Sequence, residues 1–162
     1  MPLFETVKRF FDATEWSYEE LGGEVLLTGF AGEAGEWNCV GQTSEETQQF
    51  VFYSIVPEEI AEDHRAQVME FITRINYGLA IGNFEMDLAD GEVRFKTSID
   101  VEGTEFSVEL WRHVVYLNVT TMNTYLHGVL SVARGEVDAR EMVTRIEAEA
   151  LSGDRIDKRD VN

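Results

Sequence analysis

Asn83-Phe84-Glu85-Met86-Asp87-Leu88-Ala89-Asp90-Gly91-Glu92-Val93-Arg94-Phe95-Lys96-Thr97-Ser98-Ile99-Asp100-Val101 reads as two alternating runs joined at Asp90-Gly91. A period of two is the signature of a strand with one face in and one face out. Asp-Gly tolerates positive φ and so favours a tight hairpin turn at the junction. On this reading Phe84, Met86 and Leu88 share a face with Val93, Phe95, Ile99 and Val101. Glu85 and Asp87 lie opposite, with Arg94 and Lys96 in reach as cross-strand ion partners. One face of this hairpin meets water, which argues for an antiparallel sheet.

Upstream lie three further β-branched and aromatic runs, Val25–Phe30, Trp37–Val40 and Phe50–Val56, separated by Gly-, Glu- and Ser-rich turns. They predict a three-stranded antiparallel meander, turning at Gly32–Gly35 and at Thr43–Glu46. Here both faces are apolar: Phe50, Phe52 and Val56 alternate with Val51, Tyr53 and Ile55. Helices or a partner must therefore cover both sides; Phe50–Val56, together with the helix aromatics Tyr116 and Tyr125, are what a binding or dimer surface would look like, with Phe52 on it, and the plainer reading makes them core and boundary residues.

Helices flank these strands. Leu3, Phe4, Val7, Phe10 and Phe11 recur at helical spacing, predicting a first helix that ends near Ala13. Pro57-Glu58-Glu59 suits a helix start, and Ala61, Arg65, Val68, Phe71, Ile72 and Ile75 form a stripe up to Tyr77, with Gly78 as a left-handed cap. Val108, Trp111, Val115, Val119, Met122, Leu126, Val129 and Ala133 mark the buried stripe of a long helix from about Thr104 to Gly135. Its β-branched residues leave a strand or kink near Asn118 as the alternative. Asp138 and Glu141 open a last helix through Met142, Val143, Ile146 and Ala150. The elements run α-β-β-β-α-β-β-α-α, an α+β fold in which an antiparallel sheet of about five strands packs with helices. Residues 1–152 are read as one domain and 153–162 as a polar tail.

The 162 residues carry a net charge of −18. That opposes attraction to nucleic acid or to anionic lipid, so neither is expected as a partner. From Met1 to Asp63 there are fourteen acidic and two basic residues, a net of −12. The plain reading of this acidity is solubility, and the other is a basic partner for this half. A single cysteine, Cys39, forms no internal disulfide, and no run approaches the roughly 18–20 apolar residues that span a bilayer. A cytoplasmic protein is expected.

No constellation specifies a reaction. Gly29–Gly35 is rich in glycine but lacks the Lys-Ser/Thr of a phosphate loop, and Glu33 would repel phosphate. His64, His113 and His127 form no ligand cluster, although Glu109 and His113 share a helix face. Cys39 beside Trp37 fits a buried apolar position. We therefore assign no catalytic, cofactor-binding or metal residue and expect no enzyme and no cofactor; the partner-binding residues stay unassigned. The other class of function, a small-molecule sensor or enzyme, would use a pocket between the long helix and the sheet, lined by Trp111 and Tyr116.

The run Ile72-Thr73-Arg74-Ile75-Asn76-Tyr77-Gly78-Leu79-Ala80-Ile81-Gly82-Asn83-Phe84-Glu85-Met86-Asp87, followed by Gly91-Glu92-Val93-Arg94-Phe95-Lys96-Thr97, resembles the YbjN family of bacterial proteins. The likeness is clearest from about Phe50 to Arg134. It implies a fold similar to type III secretion chaperones, which are small acidic α+β proteins, usually dimeric, that hold a partner chain along their surface. It further implies a role in sensory transduction or stress, without an established ligand or active site. The expectation is a non-enzymatic, chaperone-like or regulatory binding module that forms a homodimer and receives a protein or peptide client.

Overall fold

A computed structural model describes residues 1–157; the last part of the expected tail, 158–162, lies outside the described residues. Helix α1 spans Leu3–Ala13, and the strands are β1 Tyr18–Gly22, β2 Val25–Gly32, β3 Gly35–Ser44, β4 Gln49–Ile55, β5 Asn83–Met86 and β6 Val93–Asp100. Helix α2 is Arg65–Gly78, α3 Val108–Ala133 and α4 Ala139–Asp157. The strands form a six-stranded antiparallel sheet in the order β1-β2-β3-β4-β6-β5. The expected α+β class holds, with one strand more than predicted. That strand, Tyr-Glu-Glu-Leu-Gly, lies at the sheet edge with four of its five residues exposed, so it carries no apolar alternation to read.

The four helices of the described residues lie on one side of the sheet. Phe11 of α1 meets Phe52 and Trp111, and Leu3, Val7 and Phe11 are its buried stripe. The spacing predicted for α3 is realised in Trp111, Val115, Val119, Met122, Leu126 and Val129, and the helix runs unbroken through Asn118. Ser107 caps it, its hydroxyl accepting from Leu110 N–H at 3.2 Å. Helix α2 buries Val68, Phe71, Ile72 and Ile75, as predicted, and Phe71 lies beneath Gly128 of α3, where an added Cβ would come within 2.8 Å of its ring. Helix α4 covers α2 and α3 through Met142 and Ile146; the Asp138 carboxylate accepts from Glu141 N–H at its start, and the helix continues through Gly153.

Asn118 is fully buried between α3 and the sheet. Its side-chain amide donates to Phe52 O of β4 at 2.9 Å, to Phe95 O of β6 at 3.0 Å and to Thr97 Oγ1 at 3.1 Å. Thr97 in turn donates to Val114 O of α3 at 2.7 Å. The amide oxygen Oδ1 finds no partner among the described residues, so the anchoring falls to Nδ2; leaving that donor unpaired as well would cost roughly 1–3 kcal/mol, which ties α3 to this position.

Several local expectations change. The β5–β6 connection is the six-residue loop 87–92 with Met86 opposite Val93, not a two-residue turn at Asp90-Gly91. Asp87 and Asp90 carboxylates accept from Ala89 and Glu92 N–H, bending the chain locally before the strands can meet. Leu88, assigned to the inner face, is 61% exposed in that loop. Helix α2 begins eight residues after Pro57, behind a 3-10 turn at Glu62–His64, so Ala61 is exposed and Ile60 fills the buried place. Gly78 is an ordinary helical residue; the left-handed glycine is Gly82, with φ +78°.

Glu85 does meet the expected partners: it accepts from Arg94 at 2.5 Å and from Lys96 at 2.9 Å. Partial burial pushes its carboxyl upward, but the bonds from Lys96 and Arg94 outweigh that and hold it below the usual carboxylate range.

Three outcomes are expected. Asn118→Asp places a carboxylate among acceptors and should lower stability by about 3 kcal/mol at pH 7, with a smaller loss in acid, where it is protonated; urea unfolding at both pH values measures this. Gly82→Ala should lower stability by about 2 kcal/mol, because its Cβ would come within 2.6 Å of the Phe95 ring at positive φ, while Gly78→Ala, open and helical, should raise it by roughly 0.5–1 kcal/mol in thermal unfolding. Glu85→Gln should cost less than about 1 kcal/mol at pH 7; since the folded pKa is depressed, wild-type and variant stabilities should converge as pH falls from the usual carboxylate range near 4.5 through the lower folded value.

Candidate functional site

The alternation of β4 assigns its faces. Phe50, Phe52 and Ser54 are buried beneath the helices, whereas Val51, Tyr53 and Ile55 are half-buried on the opposite side. That opposite side continues into Val25 and Leu27 of β2 and Val40 of β3. Register places Leu27, Val40 and Tyr53 in one row across three strands, continued by Lys96 of β6. Arg94 lies 4.1 Å from the centre of the Tyr53 ring, a cation–π contact that anchors the polar end of the patch. Among the described residues no helix covers this face. The prediction that both faces of β4 are apolar holds, but the helices cover one of them and leave the other open.

Phe52 belongs to the covered side and is fully buried, so it is a core residue and not part of a binding face. The alternation showed two apolar faces but could not say which one the helices take.

One end of the open face is cut by a notch. β3 pairs with β2 as far as Gly35, yet its pairing with β4 stops at Cys39 opposite Ser54 because the chain turns away at Pro57. A groove of about 700 Å³ lies there, lined by Phe30, Ala31, Glu36, Trp37, Asn38, Ile55, Val56, Pro57, Glu59 and Glu92, among others. Nothing in the sequence signalled it, since it arises from where two strands part.

The other residues singled out from sequence are dispersed. Gly29–Gly35 is the end of β2 and its hairpin turn, held by Asn123 of α3, whose Oδ1 accepts from Ala34 N–H at 3.0 Å. His64 contacts Ala133 O at 2.5 Å, while His113 and His127 are exposed on α3; among the described residues no three metal-ligating side chains converge. Cys39 is buried, 3.5 Å from Ser54 Oγ, which also accepts from Trp37 Nε1 at 2.9 Å. Burial pushes its thiol up to about 11 despite those neighbours, which makes it a poor nucleophile. The space between α3 and the sheet, the place for a small-molecule pocket, is filled by Phe50, Phe52, Phe95, Trp111, Val119 and Met122. Tyr116 is partly exposed on the flank of α3, and Tyr125 packs edge-on against Phe84. Among the described residues no helix is long and apolar enough to cross a membrane.

Comparison with solved structures places this architecture. The crystal structure of YbjN from E. coli, described as a putative transcription regulator, superposes with a TM-score of 0.63 at 13% identity, covering 81% of this chain and 92% of that one. A chain of the ExsC–ExsE complex gives 0.54 at 12% identity, covering 78% and 96%. A chain of the HopA1–SchA chaperone–effector complex gives 0.41 at 14% identity, covering 83% and 93%. No curated protein matches the sequence. The expected α+β fold is thus shared with YbjN and with the matching chain of the ExsC–ExsE complex. The family model described as "Putative bacterial sensory transduction regulator" matches residues 4–131, and the chain belongs to that family, YbjN.

Proposed function

We propose that this protein is a non-enzymatic binding module, regulatory or chaperone-like, that acts as a homodimer and holds a protein partner. The observation that carries this reading is the open sheet face of Leu27, Val40, Val51, Tyr53 and Ile55, apolar and free of helices among the described residues. Such a surface gains by being covered, at roughly 25 cal/mol per Å² of apolar area removed from water. Family membership supports a regulatory role, and the shared fold of the ExsC–ExsE complex supports a scaffold suited to holding another chain. The filled layer beneath α3 and the inert Cys39 favour binding over catalysis.

Val40→Glu tests the proposal, because Val40 sits at the centre of the open face while its neighbours Cys39 and Gly41 point into the core. Light scattering of the wild type at high micromolar concentration should give twice the 18.4 kDa chain mass. Affinity purification from its own cells should recover a specific partner that the folded variant loses. A strict monomer would refute the homodimer, and a partner retained unchanged by Val40→Glu would refute the face.

A further inference from the structure

We infer that the notch between β3 and β4 receives a short extended segment of a partner protein, alternating basic and apolar residues, which adds to the edge of β3. The inference rests on the protein-binding reading and names the partner's chemistry. Thr43 N–H bonds Glu24 O across β2, so by strand alternation the odd-numbered residues of β3 turn their backbone groups toward β2. Glu36 and Asn38 turn theirs toward β4, whose pairing ends with Cys39 opposite Ser54; that last pair is flanked by a ladder bond from Ile55 N–H to Asn38 O, so the Asn38 N–H and both backbone groups of Glu36 are left over. Glu36 has no strand opposite it there. An unpaired edge inside a sheet is a template for one more strand, and Gly35–Asn38 offers about 13 Å, room for three or four residues.

Side-chain chemistry follows from the two faces. On the open side the groove is lined by Glu36 and Glu92, with Glu59 from the segment after Pro57, and among the described residues no lysine or arginine lines it. On the helix side it is lined by Phe30, Trp37 and Val56; the Phe30 and Trp37 rings lie 5.2 Å apart. An added strand therefore meets carboxylates with one set of side chains and aromatic or aliphatic surface with the other. Lys or Arg alternating with Val, Ile or Phe fits both sets, and the −12 net charge of residues 1–63 favours its approach.

The probe is a labelled, end-blocked hexapeptide alternating Lys and Val, titrated into the full chain by fluorescence polarisation and by amide NMR. It should bind about tenfold more tightly than the Glu-Val counterpart, shift the amides of 35–38 and 55–59, and weaken about tenfold when the amides on its pairing edge are methylated. Glu36→Gln with Glu59→Gln, both exposed, should weaken binding roughly three- to tenfold. Equal binding of the methylated peptide would exclude strand addition. Shifts confined to Leu27, Val40 and Val51 would overturn the notch while leaving the open-face reading standing. Amide shifts at 35–38 that depend on protein concentration alone would seat a second copy there instead, and no binding at millimolar peptide would reject the inference outright.

Discussion

The position of α3 on the sheet is set by one amide. Asn118 sits in a mainly apolar layer that includes Phe52, Phe95, Val115 and Met122, and it bonds two strands at once. Apolar contacts alone would let a valine-rich helix settle at several heights, since one turn along its axis, about 5.4 Å, presents a similar surface. Such a slip would bury the amide without acceptors. The Thr97–Val114 bond points the same way, from strand to helix backbone, so β4, β6 and α3 are locked as one unit. The remaining helices pack around that unit: α1 through Phe11 on Trp111, α2 and α4 around Gly128.

Fixing α3 there makes the molecule one-sided. The large side chains of β4 and β6 are committed beneath it, so the alternate residues are left outside. In a hairpin such as β5–β6 the outside is polar, with Glu85 between Arg94 and Lys96. In β2, β3 and β4 the outside is apolar, with Leu27, Val40, Val51 and Tyr53, and the same layer that buries one set exposes the other. The open face is a consequence of strand alternation combined with helices on a single side.

Much of this was legible because it rests on period. The spacings of α1 and α3 and the alternation of β4 and β6 each encode a buried set, and most of each set is found buried; Val108, expected in the α3 stripe, is exposed in the first turn of the helix, and Phe4, Phe10, Ile99 and Ala133 are only partly covered. What escaped depends on local or tertiary geometry. β1 is an edge strand of Tyr18, Glu19, Glu20 and Leu21, with too little burial to impose a pattern. Gly78 and Gly82 are four residues apart, and composition does not record which of them carries the positive φ and lies against the Phe95 ring. The long helix through Asn118 is legible from its spacing, but the anchoring role of Asn118 is not, because its acceptors Phe52 O and Phe95 O lie on strands far away in sequence. Phe52 and Tyr53 are equally plausible as surface until α3 chooses between them.

The open face and the notch differ in what they can recognise. An apolar face selects for area and little else, because the hydrophobic effect is non-directional. A strand edge selects for an extended backbone but tolerates most sequences, because the bonds are to main-chain groups. Neither alone distinguishes one partner from another. Where Ile55 brings the two together, three carboxylates stand at the rim and aromatic rings stand beneath. Charge then penalises acidic segments, the rings penalise polar ones, and the edge penalises helices. Specificity is a difference between affinities, so three weak penalties acting on different properties of a segment can reject more competitors than one strong attraction.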